Sequence, residues 1–458
     1  MPLARVTSFN AARIAVNAAI LDPPGAPMRN FAGGPRTKSI VAARTKFKEW
    51  RRVRIGINAL GLLPDVIGGG ETYLRGLIGG FGRLRGDDEF VLFTNRENHP
   101  TFAGLGGNFR RVRCNFSARW NVASLAMTRV IGEQIYLPWR AARERVEVIH
   151  SPLDTTLLRS RCPTVMTLHD MNFDALPEAT NPLQRSIARA LVKLSARRAN
   201  AIITVSEFSR REIMAKLKLP ENRLFVIHNG VGEAAEAQAP ADPEAHLPIG
   251  VDEPYIVAFS SINPHKNIAA LMRAFARLKT ADRHLKLIVI GHQPGGGESL
   301  PELARRLGIE NRMVFTGYVG AAAKQRLLRG ARLLAFPSLY EGFGLPVIEA
   351  MRAGVPVACS ARAALPEIAG SAARMFDPDD FDDLGAALNE LLTDEALRAR
   401  LIAAGHLNAR RFSWDRAARM TLRVYRQAAG GGAAASSADF FANDSAAEPA
   451  DLADVRRA

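Results

Sequence analysis

Two carboxylates eight residues apart, Glu341 and Glu349, stand in the run AFPSLYEGFGLPVIEAMRAGVPVACS at 335–360, the stretch of this chain best equipped for chemistry. The first is framed by glycines, Glu341-Gly342-Phe343-Gly344, and the second follows Leu345 and Pro346, where an apolar helical pattern begins. Gly342 and Gly344 let backbone N–H groups come close to a ligand, and Pro346 suits a first helical turn, where its missing N–H costs nothing. The run LLAF before Pro337 predicts a strand; Gly354-Val355-Pro356 predicts the end of the helix, and VPVAC a second buried strand. Strand, loop and helix place one carboxylate before the helix and the other on its first turn, beside a helix N-terminus suited to anions.

The elements that must position this stretch form two series. From Val53, VRIGINAL predicts a strand, followed by Gly68-Gly69-Gly70 as a glycine-rich loop and a helix carrying Tyr73, Leu74, Leu77 and Ile78. Backbone amides there could accept an anion. The spacing is not GxGxxG and no acidic ribose contact stands about 20 residues on, which argues against a nicotinamide dehydrogenase. Strands at 89–95, 146–152, 163–170 and 199–209 alternate with helical stretches around 120–145 and 182–198, the pattern of an α/β domain with a parallel sheet. His150, His169-Asp170 and Ser206-Glu207 fall at the C-terminal ends of those strands, where such sheets place ligands, although His150 is equally readable as a core histidine. LFVIHNGV at 224–231 adds a strand, and an Ala-, Pro- and acid-rich stretch from 232 to 254 reads as a linker. Strands at 255–261, 285–291, 313–319 and 333–336 then alternate with helices at 267–279, 299–307 and 321–330. The economical architecture is two successive doubly wound, Rossmann-like domains facing a central cleft, and domain interfaces are where pockets concentrate.

The bulk properties fit. At 458 residues the chain is long enough for two or three domains, and 47% hydrophobic with 23% charged residues describes an ordinary globular protein. Cys114, Cys162 and Cys359 have no CxxC neighbours, so a disulfide framework or zinc site is not expected and all three read as buried small hydrophobes in a reducing compartment. More than half of the net charge of +16 falls in residues 1–54, with eleven Lys and Arg against Asp22 and Glu49. No nucleic-acid motif accompanies it and aromatics are only 7%, which argues against nucleic acid and for an anionic membrane surface or substrate. Residues 1–52 read as a basic disordered extension with transit-peptide-like composition, and 429–458 as a low-complexity tail. No run of 18 apolar residues occurs, so no transmembrane helix is expected.

The block PSLYEGFGLPVIEAMRAGVPV, with Glu341 and Glu349 separated by seven residues, resembles the signature of the retaining glycosyltransferases of family 4, which have the GT-B fold of two Rossmann-like domains. GGGET, His169-Asp170, VSEFSRRE, HNGV and INPHKN at 262–267 stand in the matching order, so the resemblance spans roughly Val53 to Tyr425. It implies an acceptor-side domain at 53–235, a nucleotide-sugar-binding domain at 236–410 and a helix at 411–428 crossing back to the first. It also implies roles: Glu349 for the ribose hydroxyls, Glu341 with the backbone of Gly342, Phe343, Gly344 and Leu345 for the sugar, and His169 near the anomeric carbon. Lys266, with His265 and the loop at Gly69 and Gly70, would neutralise the leaving diphosphate in place of a metal. Many members carry an arginine six residues before the lysine; here that residue is Ser260. Catalysis would fall to His169, Glu341 and Lys266, with no cofactor or metal.

The implied partners are a nucleotide-sugar donor and a saccharide or lipid-linked saccharide acceptor. The Glu-Gln and Leu-Pro of RVIGEQIYLPWRAARER at 129–145, and HDMNFDALPE at 169–178, resemble bacterial mannosyltransferases of polysaccharide and lipopolysaccharide synthesis. That implies a cytoplasmic enzyme, peripheral at the inner membrane face. No second acid pair suggests a retaining hydrolase. A GT-B epimerase or phosphorylase would need a different carboxylate set or a pyridoxal lysine, for which no distinctive segment appears. The alternative is a non-catalytic nucleotide-sugar-binding scaffold.

Overall fold

The computed structural model describes residues 52–64, 68–84, 86–115, 131–171, 182–232, 253–261, 264–278, 282, 284–292 and 299–430, with backbone alone at 182–185 and 188. The basic extension, most of the linker at 232–254, residues 116–130 and 172–181, and the tail past Gly430 lie outside the described residues.

Two all-parallel sheets organise the chain. The first holds β1 Arg54–Asn58, β2 Glu89–Thr94, β3 Phe109–Arg113, β4 Val148–Ser151, β5 Thr164–Thr167, β6 Ala201–Thr204 and β7 Leu224–Val226, in the order β3-β2-β1-β4-β5-β6-β7. The second holds β8 Tyr255–Phe259, β9 Lys286–Ile290, β10 Met313–Gly317, β11 Leu333–Phe336, β12 Val357–Ser360 and β13 Arg374–Phe376, in the order β10-β9-β8-β11-β12-β13. β4, β5, β6, β11 and β12 are buried along their whole length, as runs such as AIIT and LLAF dictate for strands covered on both faces. Strand order reverses between β1 and β4 and between β8 and β11, and open sheets bind ligands at such switch points. The glycines at 68–70 follow β1, Lys266 follows β8 and Glu341 follows β11, so the topology alone converges them.

Helices cover both sheets: α1 Gly68–Arg83, α2 Leu137–Arg143, α3 Pro182–Arg198 and α4 Glu207–Leu217 in the first domain; α5 Ile268–Arg277, α6 Leu300–Arg306, α7 Ala321–Arg329, α8 Leu345–Arg352, α9 Leu365–Ala369, α10 Phe381–Thr393 and α11 Glu395–Ala409 in the second. The sequence reading missed β3, β13, α4 and α9 to α11, and its strand at 199–209 ends at Thr204, because Ser206 caps α4 there. β3 and β13 are edge strands, and β3 (FRRVR) buries only Val112, so it lacks the apolar run that marks a central strand. Cys162 is half-buried rather than buried, while Cys114 and Cys359 are fully enclosed.

The last helix, α12 Trp414–Gly430, packs on α1 and beneath β4, β5 and β6, with Trp414, Ala417, Ala418, Thr421, Val424 and Tyr425 on its buried face. Asp415 accepts from Arg83 at 2.7 Å, and Arg426 donates to buried Asp88 at 2.6 Å. α1 admits this helix because two of its glycines face it. A Cβ at Gly80 would lie 2.4 Å from the Trp414 carbonyl oxygen and 2.9 Å from Ala418 Cβ. Gly→Ala inside a helix is normally stabilising by up to about 1 kcal/mol. Here overpacking reverses the sign: Gly80→Ala is expected to destabilise by about 1–3 kcal/mol in urea unfolding. Gly82→Ala, whose Cβ would meet nothing closer than Phe109 at 3.8 Å, is expected to be neutral or mildly stabilising.

Candidate active site

The donor-side loop leaves β11 through Pro337 and Ser338 and enters α8 at Gly344, whose φ of +104° is open to glycine at little cost. Leu345 and Pro346 open α8, so Glu349 is its fifth residue, one turn deeper than the sequence suggested, and buried, with a relative exposure of 9%. Glu341 meets Lys266, from the short turn Pro264–Lys266, at 2.5 Å; both are largely buried, and the ammonium lies 5.0 Å from the Phe336 ring centroid. The Leu339 N–H donates to the His265 carbonyl at 2.8 Å, fastening the lysine turn to the carboxylate loop. Burial first, then the neighbouring Lys266, holds the His265 imidazole below its ordinary pKa.

Glu349 has a partner that sequence reasoning missed. Lys324 of α7 donates to its carboxylate at 2.8 Å, and both line a cavity of about 280 Å³ together with Thr72, Val231, Arg352 and Trp414. No motif marks Lys324; only the packing of α7 beside α8 brings it there. The phosphate side is as the sequence left it: Ser260 stands just past β8, its N–H bonded to the Ile290 carbonyl at 2.7 Å and its buried hydroxyl without a partner among the described residues. Gly68, Gly69 and Gly70 are the first turn of α1 rather than a loop before it, so their amides are the helix's own unpaired donors. A Cβ on Gly68 or Gly69 would meet nothing within 4 Å among the described residues.

Across the cleft, His169 follows β5. Its Nε2 donates to the Pro152 carbonyl at 3.0 Å, its N–H to Asp154 Oδ1 at 2.9 Å, and its ring stands edge-on to Tyr73 at 4.8 Å. The loop after β4 that supplies both partners is itself pinned by Glu133 and Gln134, which lie in a π-helical turn, Gly132–Tyr136. Buried Glu133 accepts from Thr155 at 2.9 Å and Asn58 at 3.3 Å; Gln134 bonds the backbone of Thr156 and Leu158. The two domains touch at the glycine loop: a Cβ on Gly342 would fall 2.8 Å from the His169 carbonyl oxygen and 2.8 Å from Asp170 Cβ. The structure therefore sets the Gly342 loop, with Lys266 paired to Glu341, against His169, while Glu349 lines the cavity it shares with Lys324. Among the described residues no cluster of three His, Cys, Asp or Glu is arranged to hold a metal ion.

His150, the other histidine at a strand end, belongs to the core. Its Nε2 meets Thr167 Oγ1 at 2.8 Å and its Nδ1 meets the Tyr425 hydroxyl at 2.6 Å, with no exposed surface. Burial, followed by the neighbouring His169, pulls its pKa from 6.5 to about 3. Above 6.5 neither folded nor unfolded chain holds that proton; below it the unfolded chain takes the proton and the native state does not, so stability drains away as the pH falls toward 3. The urea midpoint is expected to drop from about pH 7 to about pH 5, and His150→Gln, which bonds without titrating, to show a shallower drop over that window.

Comparison with known proteins identifies the family and the fold. Residues 67–234 match the family described as Glycosyltransferase Family 4, and residues 243–407 match Glycosyl transferases group 1. The O-antigen chain mannosyltransferase B of Escherichia coli is 31% identical over 273 residues, which is 57% of this chain and 70% of that one. Among solved structures, sucrose-phosphate synthase from Thermosynechococcus elongatus superposes with a TM-score of 0.64 at 20% identity, over 83% of this chain and all of that one. Anabaena Alr3699/HepE, solved in complex with UDP and glucose, gives 0.57 at 20% identity, over 81% and 99%.

Proposed function

The chain belongs to the family 4, group 1 glycosyltransferases, and from that membership we propose that it moves a hexose, mannose or a glucose-type sugar, from a nucleotide-sugar donor to a saccharide or lipid-linked saccharide in cell-surface polysaccharide synthesis. The observation that carries this reading is the alternation of cations and carboxylates along the switch-point edge of the second sheet, Lys266 on Glu341 and Lys324 on Glu349. A nucleotide sugar offers a ribose diol, a diphosphate and sugar hydroxyls, and each needs a different partner. Glu349 accepts from the ribose diol, Lys266 faces the diphosphate, and Glu341 with the amides of Gly342, Phe343 and Gly344 holds the sugar. Those three amides have no hydrogen-bond partner among the described residues. The UDP and glucose held by the similarly folded Anabaena protein support the donor class, and the E. coli mannosyltransferase supports mannose and a polysaccharide product.

In the reaction the bond from the anomeric carbon to the diphosphate oxygen breaks, and the acceptor hydroxyl oxygen bonds to that carbon. Its proton passes to the departing phosphate oxygen. Attack from the side of departure retains configuration, and no carboxylate pair suited to a double displacement is in evidence among the residues that meet in the cleft. Lys266 and the amino end of α1 supply the positive charge that makes the reaction independent of a metal. No observation favours a non-catalytic scaffold.

A matching donor among GDP-, UDP- and ADP-sugars is expected to raise the unfolding midpoint, because ligand binding to the native state stabilises it by mass action. Glu349→Ala is expected to weaken that donor by about tenfold or more, and Lys266→Ala to lower kcat by about 100-fold with a smaller change in donor affinity. An unchanged donor affinity in Glu349→Ala removes the ribose assignment. Product stereochemistry by NMR, with and without EDTA, decides retention and metal use.

The acceptor-side domain also exposes Ile131, Ile135 and Trp139 along 131–143, at 43%, 69% and 53%, with the Arg143 guanidinium 5.6 Å from the Trp139 ring. Apolar side chains interleaved with arginine suit the surface of an anionic bilayer, and no described helix is long and apolar enough to cross one. Ile135→Ser with Trp139→Ser is expected to reduce co-sedimentation with vesicles containing anionic lipid; equal binding to anionic and neutral vesicles at all salt concentrations would refute membrane attachment.

A further inference from the structure

Three sequence motifs, VSEFS, HNGV and the Leu365-Pro366-Glu367 that opens α9, have no part in the reading above, and the fold brings them to one point between the domains. Ser206 caps α4, accepting from the Ser209 N–H at 3.0 Å, while its own hydroxyl donates 2.7 Å to the Gly342 carbonyl of the other domain. The Ser209 hydroxyl donates to the same oxygen at 3.2 Å, and both serines are fully buried. Glu367 answers from the second domain: its two carboxylate oxygens accept the N–H groups of Glu207 and Phe208 at 2.9 and 3.1 Å, and His228 Nε2 lies 2.9 Å from Oε1. The first amides of a helix have no intrahelical partner, and a carboxylate at that end also meets the favourable end of the helix dipole. Around these bonds Val205, Phe343, Ile348, Ala364, Ile368 and Phe412 form a closed apolar cluster drawn from both domains.

We propose that Ser206, Ser209 and Glu367 are positioning residues that set the donor-side glycine loop against His169, with Ser206 orienting the peptide group whose N–H belongs to Phe343. The peptide unit is planar and trans, so its C=O and N–H point in opposite directions. With the Gly342 carbonyl held on α4, the Phe343 N–H is turned away from α4 and has no partner among the described residues. The same contact holds Gly342 against the His169 carbonyl and Asp170. Lys266, Glu341, Lys324 and Glu349 all belong to the second domain and keep their pairing without α4. The serines therefore govern how the sugar end of a donor meets the first domain, not how a nucleotide is held. The kinetic consequence rests on the glycosyltransferase reading; the mechanical one does not.

The test has a structural and a kinetic arm. In the full chain, Glu367→Gln and the double variant Ser206→Ala with Ser209→Ala are compared with wild type by amide hydrogen exchange. Faster exchange in both 206–210 and 340–346 is expected from each; acceleration confined to 365–369 in the first, or to 206–210 in the second, overturns the proposal. In the kinetic arm the double serine variant should lose about tenfold or more in kcat, as misplacement on the scale of 1 Å does. Its affinity for free GDP or UDP should stay within about twofold, and Ser206→Thr, which keeps the hydroxyl, should restore most of the rate. A kcat that falls only in step with nucleotide affinity, or no fall at all, also overturns it. A wild-type chain that transfers no sugar from any donor refutes the glycosyltransferase reading alone, because the exchange arm still decides the contact.

Discussion

Position 342 has room for a hydrogen atom and nothing more. A single methyl group there would press on the His169 carbonyl and on Asp170 at 2.8 Å, and neither is the far end of a flexible side chain that could swing aside. The approach of the two domains is therefore limited by one backbone atom, and every contact across the cleft is conditional on it. Ser206 can reach the Gly342 carbonyl, Tyr340 can accept from the Met171 N–H at 3.2 Å, and Phe343 can seat against Phe412 only while the loop lies this close. The glycines flanking Phe343 thus have separate jobs: Gly342 permits an approach, and Gly344 supplies a left-handed turn into α8.

The electrostatics of the cleft follow from that enclosure. Two largely buried acids stand there, and each meets one ammonium group from its own domain. Pairing of this kind is weak evidence for stability, because desolvating both partners offsets much of their attraction. It makes better sense as preparation for exchange. On the proposed reading an incoming diphosphate takes Lys266 from Glu341, which frees the carboxylate to accept sugar hydroxyls at the moment the lysine acquires a new anion. Charge in the cleft stays nearly balanced through binding, and neither buried group is left alone.

How much of this was legible beforehand depended on the range of the interaction. The alternation of strands and helices, the carboxylate loop and the glycines at 68–70 are local patterns, read from spacing within about ten residues. The placement of Glu349 one turn deeper than expected came from Gly344, whose positive φ ends the loop and starts the helix at Leu345. β3 and β13 escaped because edge strands need not carry an apolar run. Lys324, Glu367 and the bond from Tyr425 to His150 could not be read at all. Each partner lies in another element, 25, 139 or 275 residues away, and an isolated Lys in AAAKQRLLR looks like any solvated helix lysine. His150 and His169 illustrate the same limit: both end strands, but one is enclosed by Thr167 and Tyr425 while the other is only partly buried, beside the contact with Gly342, and the returning helix α12 helps separate their fates.

Ser260 sharpens the argument about phosphate. A guanidinium at that position would bring a permanent charge and several donors to the end of β8; a hydroxyl brings one donor and no charge, here buried and unpaired among the described residues. On the proposed reading the deficit is met by neighbours that are already fixed. Lys266 comes from the turn after the same strand, and α1 presents three consecutive glycines in its first turn, with no Cβ to hold an anion away from its free amides. Helix dipoles and backbone donors carry only partial charge, but in an enclosed cleft they need no reorganisation when a leaving group develops its charge. Replacing an arginine by oriented backbone shifts the stabilisation from a mobile side chain to the relative placement of the two domains. That is the same quantity the Gly342 contact controls, so on the proposed reading leaving-group stabilisation and domain approach become one variable in this chain.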